Sequence, residues 1–122
     1  MTNKLLDRLT EYTPNSWVIV KIESEQHGTI YKVLAGWSGS YLYGDSWKLS
    51  SGIVTFIDTG SYYESLQDSG SVYMLYKSSE RMSSIMAQTL SSFELQLQGT
   101  NATIEVVKVQ EVQKYLRKEP NA

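Results

Sequence analysis

The sequence predicts an α+β domain: an antiparallel sheet of about five to six strands, covered by one long helix, with a short helix at the N-terminus. Three observations lead there. The segments "SWVIVKIE" and "TIYKVLAGW", rich in β-branched and aromatic residues, read as strands on either side of the turn "SEQHG". An apolar stripe at helical spacing runs through residues 79–98. A β-rich segment, "NATIEVVKV", follows that stripe. At 122 residues the whole chain, 1–122, reads as a single domain large enough to bury a core.

Each element has its own signal. Leu5, Leu6, Leu9 and Tyr12 recur at helical spacing, with Thr2 or Asn3 as cap and Pro14 as stop, so residues 2–12 predict a short helix. Residues 16–37 predict an antiparallel hairpin, with Val18, Val20 and Ile22 on one face and Trp17, Ile19 and Lys21 on the other. Gly39-Ser40-Tyr41, Gly60-Ser61-Tyr62 and Gly70-Ser71-Val72-Tyr73 echo one another, each a small turn pair ahead of a tyrosine. Their uneven spacing excludes a solenoid and predicts a meander with strands near 40–49, 52–58, 61–66 and 71–77. Met82, Ile85, Met86, Leu90, Phe93 and Leu97 form the stripe of the long helix, capped by Ser78 or Ser79 and ended at Gly99. Residues 111–122, within "QEVQKYLRKEPNA", read as a short terminal helix and frayed tail.

Composition removes several classes of function. The net charge of −2 argues against a protein that coats duplex nucleic acid, because phosphate contacts need a basic face. With no cysteine, disulfides, thiolate metal sites and cysteine nucleophiles are excluded. No run approaches the roughly 18 apolar residues needed to span a bilayer, and the N-terminus lacks a signal-peptide pattern. No membrane association is expected, and the expected compartment is a host cell's cytosol. His27 is the one histidine and sits in a turn, so neither a metal pair nor a triad is expected. Asp45 and Asp68 lie beside glycine or serine and Asp58 lies two residues before Gly60, all in expected turns, where aspartates usually satisfy local backbone donors. The glycines of "GWSGSYLYG" match neither a P-loop nor a dinucleotide-binding loop. No cofactor, metal or catalytic residue is expected.

What remains is the stretch "AGWSGSYLYGDSWKLSSG", residues 35–52. Trp37, Tyr41, Tyr43 and Trp47 are rigid amphipathic side chains suited to stacking on a base or filling a partner's pocket. Ser38 and Ser40, with Ser46, Ser50 and Ser51, add hydroxyls; Asp45 adds an acceptor; Lys32 and Lys48 add positive charge. The alternative is ordinary sheet packing, in which Leu42, Leu49, Ile53 and Trp47 are core.

The segments "NSWVIVKI" and "YKVLAGWSGSYLYGDSWKLSSGI", with the tyrosine-rich stretch after them, resemble small bacteriophage and prophage proteins. The likeness covers roughly residues 15–75 and includes no catalytic motif. "GWSG" is also similar to a "GWNG" segment in phage anti-defence proteins that sequester nucleotide-derived immune signals, although Leu34 and Ala35 stand where that family has a basic residue. The resemblance implies a non-enzymatic counter-defence protein holding a small nucleotide-like ligand. The base would stack on Trp37, Tyr41, Tyr43 and Trp47, and Lys32, Lys48 and the serines would take phosphate or ribose. A second expectation is an inhibitor that binds a host defence protein directly, through the same loop or through Val112, Tyr115 and Leu116. A third is a small nucleotide-acting enzyme using Asp45 with Tyr43 or Lys48. Aromatic and apolar residues on both faces of the strands further predict a homodimer or larger homo-oligomer that covers the second face.

Overall fold

Eight strands and two helices form among the described residues, 10–40 and 44–117 of a computed structural model. In chain order they are β1 (Glu11–Tyr12), β2 (Ser16–Ser24), β3 (Gly28–Ser40), β4 (Gly44–Leu49), β5 (Ile57–Asp58), β6 (Tyr62–Leu66), β7 (Val72–Tyr76), α1 (Ser84–Leu97), β8 (Thr103–Val107) and α2 (Val109–Arg117). The fold is α+β, but its strands make two four-stranded sheets rather than one: β4-β3-β2-β8 and β1-β7-β6-β5.

The β2–β3 hairpin follows from two segments rich in β-branched and aromatic residues joined by a short turn. Its register is unbroken from Ser24↔Gly28 to Ser16↔Gly36. Gly28, at φ +72°, takes the left-handed conformation that short hairpin loops need. The Ser24 hydroxyl accepts a hydrogen bond from the His27 N–H at 3.0 Å, and His27 is an exposed turn residue.

Each face of this hairpin meets a different partner. Trp17, Ile19, Tyr31, Val33 and Ala35 are buried with Tyr73 and Leu75 of β7 and with Val109 and Val112 of α2. Val18, Val20 and Leu34 are buried with Met86 of α1 and Ile104 of β8, and Ile85, Leu90, Phe93 and Leu97 pack against them. The face expected to await a second copy of the chain is therefore covered from within the chain. Val112 belongs to that core rather than to a free apolar face, while Tyr115 lies outside the core against Tyr31, ring centroids 4.8 Å apart.

Trp17 joins the layers. It is fully buried on β2, and its indole N–H donates to the Tyr76 carbonyl at the end of β7, at 2.8 Å. Its ring meets Tyr63 of β6 edge-on at 6.0 Å. Its own carbonyl accepts from the Arg81 N–H at 3.0 Å, and Glu80 bridges to it in parallel.

These contacts explain where the predicted helix boundaries shift. Residues 77–79 form one 3₁₀ turn, Glu80 is extended against Trp17 and the Arg81 N–H is bound to the Trp17 carbonyl, so α1 starts only after Ser83. The Ser83 hydroxyl, not Ser78 or Ser79, caps it by accepting from the Met86 N–H. Met82 consequently leaves the stripe and is exposed. Gly99, with φ +80°, follows the helix as expected.

Two further expectations are corrected. Glu11 and Tyr12 are strand, pairing in parallel with Val72 and Tyr73, so the N-terminal helix does not extend to residue 12; the rest of that segment lies outside the described residues. The interval 52–58 is not a continuous strand, for only Ile57 and Asp58 pair regularly with β6. Side chains replace the ladder there: the Ser50 hydroxyl accepts from the Val33 N–H at 2.8 Å and the Thr55 hydroxyl from the Leu66 N–H at 3.2 Å. The chain uses this irregular stretch to cross from one sheet to the other.

A polar cluster ties α2 to the hairpin. The Tyr31 hydroxyl donates to Glu111 Oε2 at 2.8 Å, and Lys21 Nζ lies 3.2 Å from the same oxygen and 3.4 Å from Glu105. The Tyr31 hydrogen bond, reinforced by Lys21, holds the Glu111 carboxyl below the ordinary carboxylate range, although partial burial opposes the shift. Burial first, then Glu111, pushes Tyr31 up to about 12.

Two outcomes are expected. Trp17→Phe removes a buried hydrogen bond and ring volume at the joint of the sheets and should cost about 2–4 kcal/mol, read as a lower urea midpoint with unchanged slope. A lowered folded-state pKa means that the Glu111 contribution is present above the ordinary carboxylate value and is lost as pH falls through the lowered one. The carboxylate is partly exposed, so that contribution is less than about 1 kcal/mol. Glu111→Gln should lower the urea midpoint at pH 7 and make its decline on acidification shallower than that of the wild type.

Candidate functional site

Strand alternation decides the fate of the aromatic stretch. Trp37 lies on the inter-sheet face with Ala35, half-buried, and its ring meets Tyr12 edge-on at 6.2 Å. Trp47 pairs with Gly36 and so projects from the opposite face, where it meets Phe93 of α1 at 5.7 Å. That face is tight at Gly36, where a Cβ would lie 2.7 Å from Met86 Sδ. Trp37 and Trp47 are therefore separated by the sheet and cannot sandwich one base. Tyr41 and Tyr43 lie outside the described residues, and Ser40 is described only through its backbone pairing with Gly44. Ser38 is exposed, its N–H donating to Asn15 Oδ1 at 2.8 Å, and Asp45 is exposed on β4.

The lysines and the later serines belong to a different constellation. Lys48 pairs with Ala35 and shares its face, which carries its ammonium over the Tyr12 ring, 5.3 Å from the centroid. β4 ends at Leu49, and Ser50 turns inward, buried, with its hydroxyl on the Val33 N–H. The Ser51 hydroxyl accepts from the Ser69 N–H at 2.9 Å, and the Gly52 carbonyl accepts from the Asp68 N–H at 2.7 Å. These bonds bring the 50–52 segment against the 68–71 turn, where Gly70 has φ +98° and Ser69 Oγ lies 3.4 Å from Ser71 Oγ. β7 begins immediately afterwards, and its Tyr73 lies beside Tyr12 of β1, ring centroids 5.0 Å apart.

Together these residues enclose a mainly polar pocket of about 300 Å³, with Lys32 on its border. Among the described residues no carboxylate lines it, and neither Lys32 nor Lys48 takes part in an ion pair. The buried Tyr73 hydroxyl has no hydrogen-bond partner among the described residues. Burial, then the nearby Tyr12, raises it to about 12, so it remains a protonated donor at neutral pH. A larger hollow of about 520 Å³ lies between residues 54–58 and α2. It is mostly apolar, and its Asp58 is already held by the Gly60 N–H and Lys77, so it offers less directed chemistry.

The pocket gathers Lys48, Ser50 and Ser51 from the stretch that the sequence singled out, and Lys32 from just before it, and leaves Trp47 on the other side of the sheet. It adds Tyr12, Ser69, Ser71 and Tyr73. A trace of this second half was visible in the "GSVY" echo, which places a serine turn directly before Tyr73. Tyr12 was hidden by helical spacing in a segment that pairs as strand.

Among the described residues, no cluster of histidine and carboxylate side chains is arranged to hold a metal ion, and no helix is long and apolar enough to cross a membrane. Comparison with family models, with curated proteins and with solved structures finds no match to the chain.

The division of the tryptophans has a measurable signature. A double-mutant cycle on Trp47→Ala and Phe93→Ala should return a coupling of about 0.5–1.5 kcal/mol in urea unfolding. The same cycle with Trp37→Ala in place of Trp47→Ala should return none.

Proposed function

We propose that this protein is a non-enzymatic phage counter-defence protein that captures a small nucleotide-derived ligand through the pocket bordered by Lys32, Lys48 and the serines. The observation that carries the reading is the convergence of two cations and several hydroxyls on a small concavity that no carboxylate of the described residues lines. Acceptor-rich anions suit such a wall, and hydrogen bonds to charged groups contribute about 1.5–3 kcal/mol each. Tyr12 and Trp37 beside the pocket offer a base an aromatic edge, worth about 1–3 kcal/mol per stack. Micromolar affinity requires about 8 kcal/mol, which two or three charged contacts and one stack reach. A volume of about 300 Å³ is at the lower limit for a ligand pocket, so the phosphate and ribose end occupies it and the base rests at the rim.

Direct capture of a host protein is the second reading. It draws on Val54 and Ile57, about half exposed beside the larger hollow. Self-association is not part of the proposal, because the sheet face that suggested it is covered by β7 and α2.

Titration calorimetry and thermal shift at low salt, with cyclic dinucleotides and adenosine-diphosphate-ribose derivatives, test the first reading. Micromolar or tighter binding to at least one of them is expected, with the ligand recovered unchanged on heating. No heat and no shift with any of them, alongside one stoichiometric host protein recovered from lysate, would replace the first reading with the second.

A further inference from the structure

Resting on the ligand-capture reading, we infer that the pocket is a subsite for a terminal phosphate group, read by the Tyr73 hydroxyl together with Lys48. Its polar side chains offer mainly donors. The Ser50 and Ser51 hydroxyls already accept from the Val33 and Ser69 N–H groups, which leaves their own protons to be donated. Among the described residues the Tyr73 hydroxyl has no hydrogen-bond partner, and Lys48 brings three N–H donors with no carboxylate in an ion pair with them. The complementary group accepts from several directions and donates nothing, which describes a phosphate better than an amide, a hydroxyl or a base edge.

Two features select a terminal phosphate over a bridging one. The pocket is small, and Tyr73 is only 1% exposed. A phosphodiester would have to pass two bulky substituents through the space that a monoester enters end-on. Among the proposed ligands, an adenosine-diphosphate-ribose derivative that ends in a phosphate therefore fits, and a cyclic dinucleotide, which has only diesters, does not. The neighbour that yields to admit it is Tyr12, half-buried on a strand of two residues.

Tyr73 also carries a thermodynamic mark. A buried hydroxyl without a partner lowers the stability of the free protein, and phenylalanine would fill the same space without that cost. A purely structural tyrosine would show the reverse.

The test measures calorimetric binding of adenosine monophosphate, inorganic phosphate, cyclic adenosine monophosphate and adenosine to the full chain at low ionic strength. It compares wild type, Tyr73→Phe and Lys48→Gln. Adenosine monophosphate and inorganic phosphate should bind, and adenosine and the cyclic diester should bind at least about 10-fold more weakly than the monoester. Tyr73→Phe should weaken the monoester about 10-fold or more while its urea midpoint stays level or rises. Lys48→Gln, an exposed change that leaves the core intact, should weaken it comparably and flatten its salt dependence.

If adenosine binds as well as its monophosphate, or if both variants bind like wild type, the phosphate subsite is overturned while ligand capture survives. If inorganic phosphate binds and responds to both variants but no nucleotide or signal molecule binds, the subsite stands and the capture reading falls. If none of the probes or signal molecules binds, both are overturned.

Discussion

Trp17 is the residue on which the arrangement of this molecule turns. A β-sheet with a buried face needs a second layer, and the second sheet here takes one strand, β1, from before the hairpin it covers and the other three from residue 57 onward. The indole joins the two layers with one directed bond to the Tyr76 carbonyl and one edge-on contact to Tyr63, while the Trp17 backbone engages Glu80 and Arg81. One position therefore sets how the sheets meet and where α1 can begin. Hydrophobic burial alone would allow the layers to slide; a donor within a fully buried ring fixes the register between them.

The parts of the fold legible from sequence were those with local causes. The β2–β3 hairpin could be read because strand-forming residue types and a glycine-ended turn act over a few residues. Gly99 could be read because only the backbone conformation at the end of a helix is at stake. The division into two sheets was not legible. It depends on Ser50 and Thr55 taking backbone donors that a continuous strand would have paired, and residue type alone does not distinguish a serine facing solvent from one facing a backbone amide. The start of α1 was equally hidden, since Trp17, far away in the chain, holds residues 80–81 out of the helix.

The site divides along the same line. Lys32, Lys48, Ser50 and Ser51 were named from one segment because they are near one another in sequence. Their separation from Trp47 is a matter of strand parity: Gly36↔Trp47 and Ala35↔Lys48 are adjacent pairs, and adjacent pairs face opposite sides of a sheet. A segment that looks like one aromatic and basic patch is thus two surfaces, one against α1 and one against Tyr12. The complementary wall, with Tyr73 and Ser71, comes from the other sheet and is brought into place by the crossing at 50–56.

The parallel pairing of β1 with β7 bears on when this pocket exists at all. Two residue pairs, Glu11↔Val72 and Tyr12↔Tyr73, hold that strand across a long stretch of intervening chain. Closing a loop of roughly sixty residues is entropically costly, and so short a ladder returns little for it. β1 is thus expected to form after the β6–β7 hairpin and to open before it. Because Tyr12 rides on it, each opening would leave the pocket without that wall. For a ligand of the kind proposed, apparent affinity would then scale with the fraction of molecules in which the wall is in place. A substitution or a fusion that steadied β1 would tighten binding without altering a single atom that touches the ligand.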